Sequence, residues 1–197
     1  METPAPAAPE TEPSAPGDLG LVQELVNTLD VTRNTEALPT VAALRAWLVE
    51  HGLLAEAEAA ELDEADLDRF VAFREALRVL LRTNLGDPID PAALALLNAE
   101  AERGALRVDF GELGCAGLLP TGRRGADRVM GRLLAAIAAA DVDGTWKRLK
   151  VCADETCAWA YYDVSRNASR AWCSMESCGN RAKARRHRRR SAARATP

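Results

Sequence analysis

The stretch CADETCAWAYYDVSRNASRAWCSMESC, residues 152–178, decides how this chain is read. It holds two matched pairs, Cys152-x4-Cys157 and Cys173-x4-Cys178, with fifteen residues between them. Each pair lets a short loop point two thiolates at one ion, and four thiolates close the tetrahedral sphere of Zn²⁺. A closed sphere leaves no position for water or substrate, so the expected metal is one structural zinc. Two other chemistries compete for these residues. A redox dithiol more often uses C-x2-C and needs only one pair. An iron–sulfur cluster also takes four cysteines, but two separated symmetric pairs favour zinc. Trp159, Tyr161, Tyr162, Val164 and Trp172 crowd the space between the pairs. So small a unit depends on metal to fold, and its aromatics are expected to pack around the site. Exposed aromatics would instead offer stacking surfaces for bases.

The text after the last cysteine is GNRAKARRHRRRSAARATP, with no large apolar side chain from Asn180 onward. It therefore has no face that inserts into a membrane. Read as a helix from about Cys178 to Arg190, it places Arg181, Arg185 and Arg188 on one side, where like charges repel until phosphates offset them. Arginine grips phosphate bidentately and reads guanine edges. The candidate nucleic-acid contacts are Arg181, Lys183, Arg185, Arg186, Arg188 and Arg189, with Arg166 and Arg170 on a second loop. A disordered basic tail that binds polyanions without sequence preference is the competing reading.

The charge of the whole chain, −4, hides a division. Residues 1–144 carry 12 Lys+Arg against 25 Asp+Glu, a balance of −13; residues 145–197 carry 13 against 4, a balance of +9. Two modules with different partners are expected from such a split. Residues 1–17 are rich in Pro and Ala, resemble no signal peptide, and read as a disordered tail. No apolar run approaches ~18 residues, so no membrane span is expected and the location is expected to be cytoplasmic.

Residues 18–144 read as a helical domain of five helices with a small β-hairpin. Asp18 is placed to cap a first helix with Leu19, Val22, Leu25, Val26 and Leu29 on one face. Pro39 or Thr40 opens a second, which Gly52 stops. A third runs from about Glu64 to Thr83, a fourth from Pro91 to about Ala101, and a fifth from Asp127 to Ala140. Leu106, Val108 and Phe110 alternate with polar residues as a strand does. Cys115 stands alone and is given no role. Only two histidines are present, and HExxH, a phosphate-cradling glycine loop and a nucleophile elbow are all missing, so an enzyme is not expected.

The segment Cys152–Arg190 resembles the CGNR zinc-finger family, on Cys178-Gly179-Asn180-Arg181, Tyr162-Asp163, Ser165-Arg166-Asn167, Ser169-Arg170, Trp172-Cys173-Ser174-Met175 and Lys183-Ala184-Arg185-Arg186-His187. Leu25-Val26-Asn27-Thr28-Leu29-Asp30, Leu44, Ala46-Trp47-Leu48 and Gly52-Leu53 resemble the N-terminal partner domain usual in that family. The resemblance implies a bacterial transcription regulator, with Cys152, Cys157, Cys173 and Cys178 as zinc ligands. The expected architecture is mainly α: a disordered tail (1–17), a helical domain (18–144), a four-cysteine zinc finger with a basic helix (145–190) and a short disordered end (191–197). Double-stranded DNA is the expected partner, RNA or protein the alternative. The helical domain is a candidate sensor of a small-molecule effector or a candidate homodimerisation domain.

Overall fold

The computed structural model describes residues 13–111 and 116–195, with side chains through Arg188. Its seven described α-helices are α1 (Leu19–Val26), α2 (Val41–Glu50), α3 (Glu56–Ala59), α4 (Glu64–Arg82), α5 (Pro91–Gly104), α6 (Gly125–Asp143) and α7 (Asn180–Ala195). Three antiparallel hairpins accompany them: β1 (Leu29–Asp30) with β2 (Thr35–Glu36), β3 (Leu106–Phe110) with β4 (Ala116–Pro120), and β5 (Leu149–Val151) with β6 (Ala160–Tyr162). The protein is thus mainly helical, with a helical N-terminal part and a Cys-rich C-terminal module.

Local chemistry explains most helix ends. The Thr40 hydroxyl accepts from Ala43 N at 3.2 Å to open α2, and Gly52, at φ +61°, stops it. Asp63 and Asp66 bond reciprocally to each other's backbone N–H (3.0 and 3.2 Å) at the start of α4. Asp90 accepts from Ala92 N at 2.8 Å, with Pro91 at the first helical position of α5.

Four local expectations need correction. Asp18 makes no cap; its carboxylate takes a bidentate grip from Arg132 of α6 (2.7 and 2.9 Å). Leu29 lies in β1, not on α1, because α1 ends at Val26 and Asn27 turns its side chain to another strand. The expected tail does not extend to residue 17: Ala15 is buried, and its N–H donates to Gln23 Oε1 at 2.8 Å. At the other end α7 runs past Arg190 to Ala195, where alanines favour continuation. Cys115 lies outside the described residues.

One core forms where α1, α2, α4, α5 and α6 meet, around Leu25, Leu44, Leu48, Phe70, Phe73, Leu77, Leu81, Met130 and Leu133. The β5–β6 hairpin belongs to the same core, for Leu149, Val151 and Ala160 are fully buried in it. Asn27, the residue that ends α1, accepts from Ala160 N (2.8 Å) and donates to Ala160 O (2.9 Å), acting as a strand partner for β6. Asn84 donates to the carbonyls of Trp146 (3.0 Å) and Leu149 (2.8 Å). Arg78 of α4 donates to Val26 O (2.7 Å) and to Ala158 O. These long-range bonds satisfy hairpin backbone groups that burial would otherwise leave unpaired.

Helices α5 and α6 cross so closely that a Cβ on Gly104 would lie 2.8 Å from the Cα of Gly131. Gly104→Ala is expected to force the helices apart and destabilise the fold by about 1–3 kcal/mol, read as a lower denaturant midpoint.

Candidate metal centre and basic helix

Cys152 follows β5 directly, Cys157 sits in the turn after it, Cys173 ends the loop that leaves β6, and Cys178 lies in a π-helical turn, Met175–Gly179, that runs into α7. All four are buried, and their sulfurs lie within 4.8 Å of one another. Cys157 Sγ is 3.6 Å from Cys173 Sγ, which is 3.7 Å from Cys178 Sγ. With Zn–S bonds of about 2.3 Å, a regular tetrahedron has S···S edges of about 3.8 Å. The cluster therefore fits one structural zinc.

Two turns hold the thiols. In the first, Asp154 accepts from the Thr156 hydroxyl (2.9 Å) through its carboxylate and from Cys157 N (2.8 Å) through its carbonyl. In the second, the Ser174 hydroxyl accepts from Ser177 N at 3.3 Å. Backbone groups of Asp154 and Cys173 face the Cys152 sulfur, and that of Trp159 faces Cys157. The crowding is electrostatically costly without a cation. Hydrogen bonds from Cys152 and Cys173 hold the Cys157 thiol low, while hydrogen bonding to Cys152 and Cys157, then burial, push Cys173 far up. Four thiolates coexist only with a cation among them.

Three of the four expected aromatics line this cluster, while Val164 is exposed. Tyr161 is buried and donates its hydroxyl to Arg170 O at 2.7 Å; Trp159 and Trp172 are half-buried against the cysteines, and Tyr162 packs on the main core. They build the module's interior, as a small metal-dependent unit requires.

The candidate basic residues fall into two groups. Arg181 donates to Asp154 Oδ2 at 3.0 Å and to Cys178 Sγ at 3.0 Å, and Arg185 Nη2 lies 3.4 Å from Asp154 Oδ1. Arg170 donates to the carbonyls of Trp172 and Cys173 and stacks 5.2 Å over the Tyr161 ring. These three face the zinc loops. Lys183, Arg186, Arg188 and Arg166 are exposed, and the Arg189 side chain lies outside the described residues. Arg148 donates to the carbonyls of Asp163 and Ser165, both at 2.9 Å.

Sequence reading missed the two carboxylates that organise the module. Asp154 is buried and ties the first zinc turn to α7. Asp163 is buried and accepts from Lys150 Nζ (2.9 Å), Ser165 N (2.9 Å) and Arg170 N (2.8 Å). The usable signal for Asp154 was an Asp two residues before a Thr between two ligands, an Asx-turn pattern.

A helical body carrying a buried four-thiol cluster that leads into a basic terminal helix has the architecture of a zinc-finger protein, and the family comparisons agree. Residues 19–144 match the ABATE family, described as "Putative stress-induced transcription regulator", and residues 148–191 match the CGNR zinc finger. The chain belongs to the ABATE family and carries a CGNR zinc finger. No curated protein matches it significantly. Both matched families are a regulator and a zinc finger rather than enzymes, and no helix of the described residues is long and apolar enough to cross a membrane.

Proposed function

We propose that this protein is a zinc-dependent, DNA-binding transcription regulator in which Cys152, Cys157, Cys173 and Cys178 hold one zinc and thereby position α7 on duplex DNA in the bacterial cytoplasm. One observation carries this reading: Asp154 anchors Arg181 and Arg185 to the first zinc turn, while Lys183 and Arg186 lie on the opposite, exposed side of the same helix. The metal loops set the bearing of the helix, and the exposed cations meet phosphate. Arg166 and Arg188 extend the contact surface, and Arg189 follows on the same helix. A sixteen-residue helix is about 24 Å long, enough to lie in a major groove about 12 Å wide.

Zinc-loaded protein should shift duplex DNA, with affinity falling steeply as salt rises. Replacing both Lys183 and Arg186 by alanine should reduce the slope of log K against log [salt] by about 2 while leaving zinc content unchanged. No salt-sensitive shift by the zinc-loaded chain would sink the reading. Single-stranded RNA that outcompetes duplex DNA would favour the RNA alternative, against which the packed aromatics argue.

A further inference from the structure

The hairpin β3–β4 opens away from the end of α6. Near its base, Leu106 and Pro120 pack on α6 at Gly131. Farther out, Val108, paired with Leu118, and Phe110, paired with Ala116, share that same face, yet nothing among the described residues covers them. Val108 is 60% exposed, Phe110 71%, Leu118 and Leu119 41% each, and Val142 on α6 91%. Under this overhang α6 presents Ala135, Ala138 and Ala139, whose small side chains leave a groove of about 390 Å³ walled by Val108, Leu118 and Val142. The alternation that reads as a strand is real, but it faces solvent.

We infer that this face binds a second copy of the same chain about a twofold axis, with Phe110 of each copy entering the alanine groove of the other. Five observations select that occupant. The knob and the groove lie side by side on one surface, which is the self-complementarity an isologous dimer needs. The face of β3 that holds Leu106, Val108 and Phe110 carries no charged residue; Arg107 and Asp109 alternate to the other face and pair there at 3.2 Å. The exposed apolar side chains offer on the order of 500 Å² per copy, roughly 1,000 Å² for a pair, near the lower bound of a specific interface. Among the described residues, each strand of the hairpin also keeps one edge without a strand partner, which a second hairpin can extend. The side chains that line the groove are all apolar, so only backbone atoms could hydrogen-bond a polar effector there.

The test is sedimentation equilibrium of the full zinc-loaded chain from about 1 to about 100 µM without DNA, a range that brackets micromolar association and keeps the outcome separate from the DNA reading. The expected result is a monomer–dimer equilibrium. Phe110→Asp and, separately, Ala138→Glu should each weaken it at least tenfold, with an unchanged circular dichroism melt because both sites face solvent. A monomer throughout the range, or a dimer indifferent to both substitutions, overturns the inference. A monomer whose groove takes up a hydrophobic dye assigns the groove to a small apolar molecule and overturns it as well.

Discussion

Stripping zinc with a strong chelator, or replacing Cys173 by serine, is expected to melt residues 149–179 and release α7 from its anchor. Structural zinc at four thiolates supplies roughly 10–16 kcal/mol of apparent binding free energy, as much as the whole net stability of a typical domain. Without the ion, four buried sulfurs within 4.8 Å of one another have no common counter-charge. Trp159, Trp172 and Tyr161 pack mainly on those cysteines and lose their fixed surroundings. The readout is near-ultraviolet circular dichroism, which should collapse on chelation and recover on zinc addition. Helical signal from α1, α2 and α4–α6 should persist in part, with a lower melting temperature, because Leu149, Val151 and Ala160 leave the shared core. Protons compete with the metal for the sulfurs, so release should come more readily as pH falls. A spectrum unchanged after verified zinc removal would show that packing, not metal, holds the module.

Asp163→Ala is expected to destabilise the protein by about 3–5 kcal/mol, the cost of leaving one member of a buried ion pair alone. Lys150 is 3% exposed and Asp163 fully buried, so water cannot replace the lost partner. The substitution also orphans Ser165 N and Arg170 N, which fold the 163–170 loop around the carboxylate. Lys150 would keep only the carbonyls of Ala168 and Arg170. The pH dependence has a definite sign. Burial pushes the Asp163 carboxyl up, but bonds from Ser165, Lys150 and Arg170 outweigh it and hold the group down at about 2. A depressed carboxylate stabilises the fold above its unfolded value of 3.8 and loses that contribution as pH falls toward 2. Acid unfolding of the wild type should include this step, and the variant should lack it. The apolar pair Lys150→Met with Asp163→Leu should recover the part of the loss due to the unpaired charge, because it removes both charges together, but not the part due to Ser165 N and Arg170 N.

How much of this was legible follows from where each determinant sits. Caps at Thr40, Asp63 and Asp90 act within three residues, so α2, α4 and α5 follow from local text. The four cysteines were equally plain, because metal chemistry restricts their spacing. The joint between body and module was not. It rests on Asn27, Arg78 and Asn84 reaching carbonyls or amides 62 to 133 residues away, and polar residues on a helix carry no mark of such a partner. For the same reason Arg181 and Arg185 read as free cations until Asp154 is placed beside them. Periodicity in β3 located the strand but not what its face meets, which depends on how far the hairpin leans from α6.

The shared core gives α7 mechanical leverage. The basic helix grows from loops welded to the hairpin β5–β6, and that hairpin is gripped by α1 and α4. A helix about 24 Å long swings its far end by about 4 Å for each ~10° of rotation at its base, more than one base-pair rise of about 3.4 Å. Subtle repacking of the body near Asn27 or Arg78 would therefore be magnified at the helix tip into a change of register.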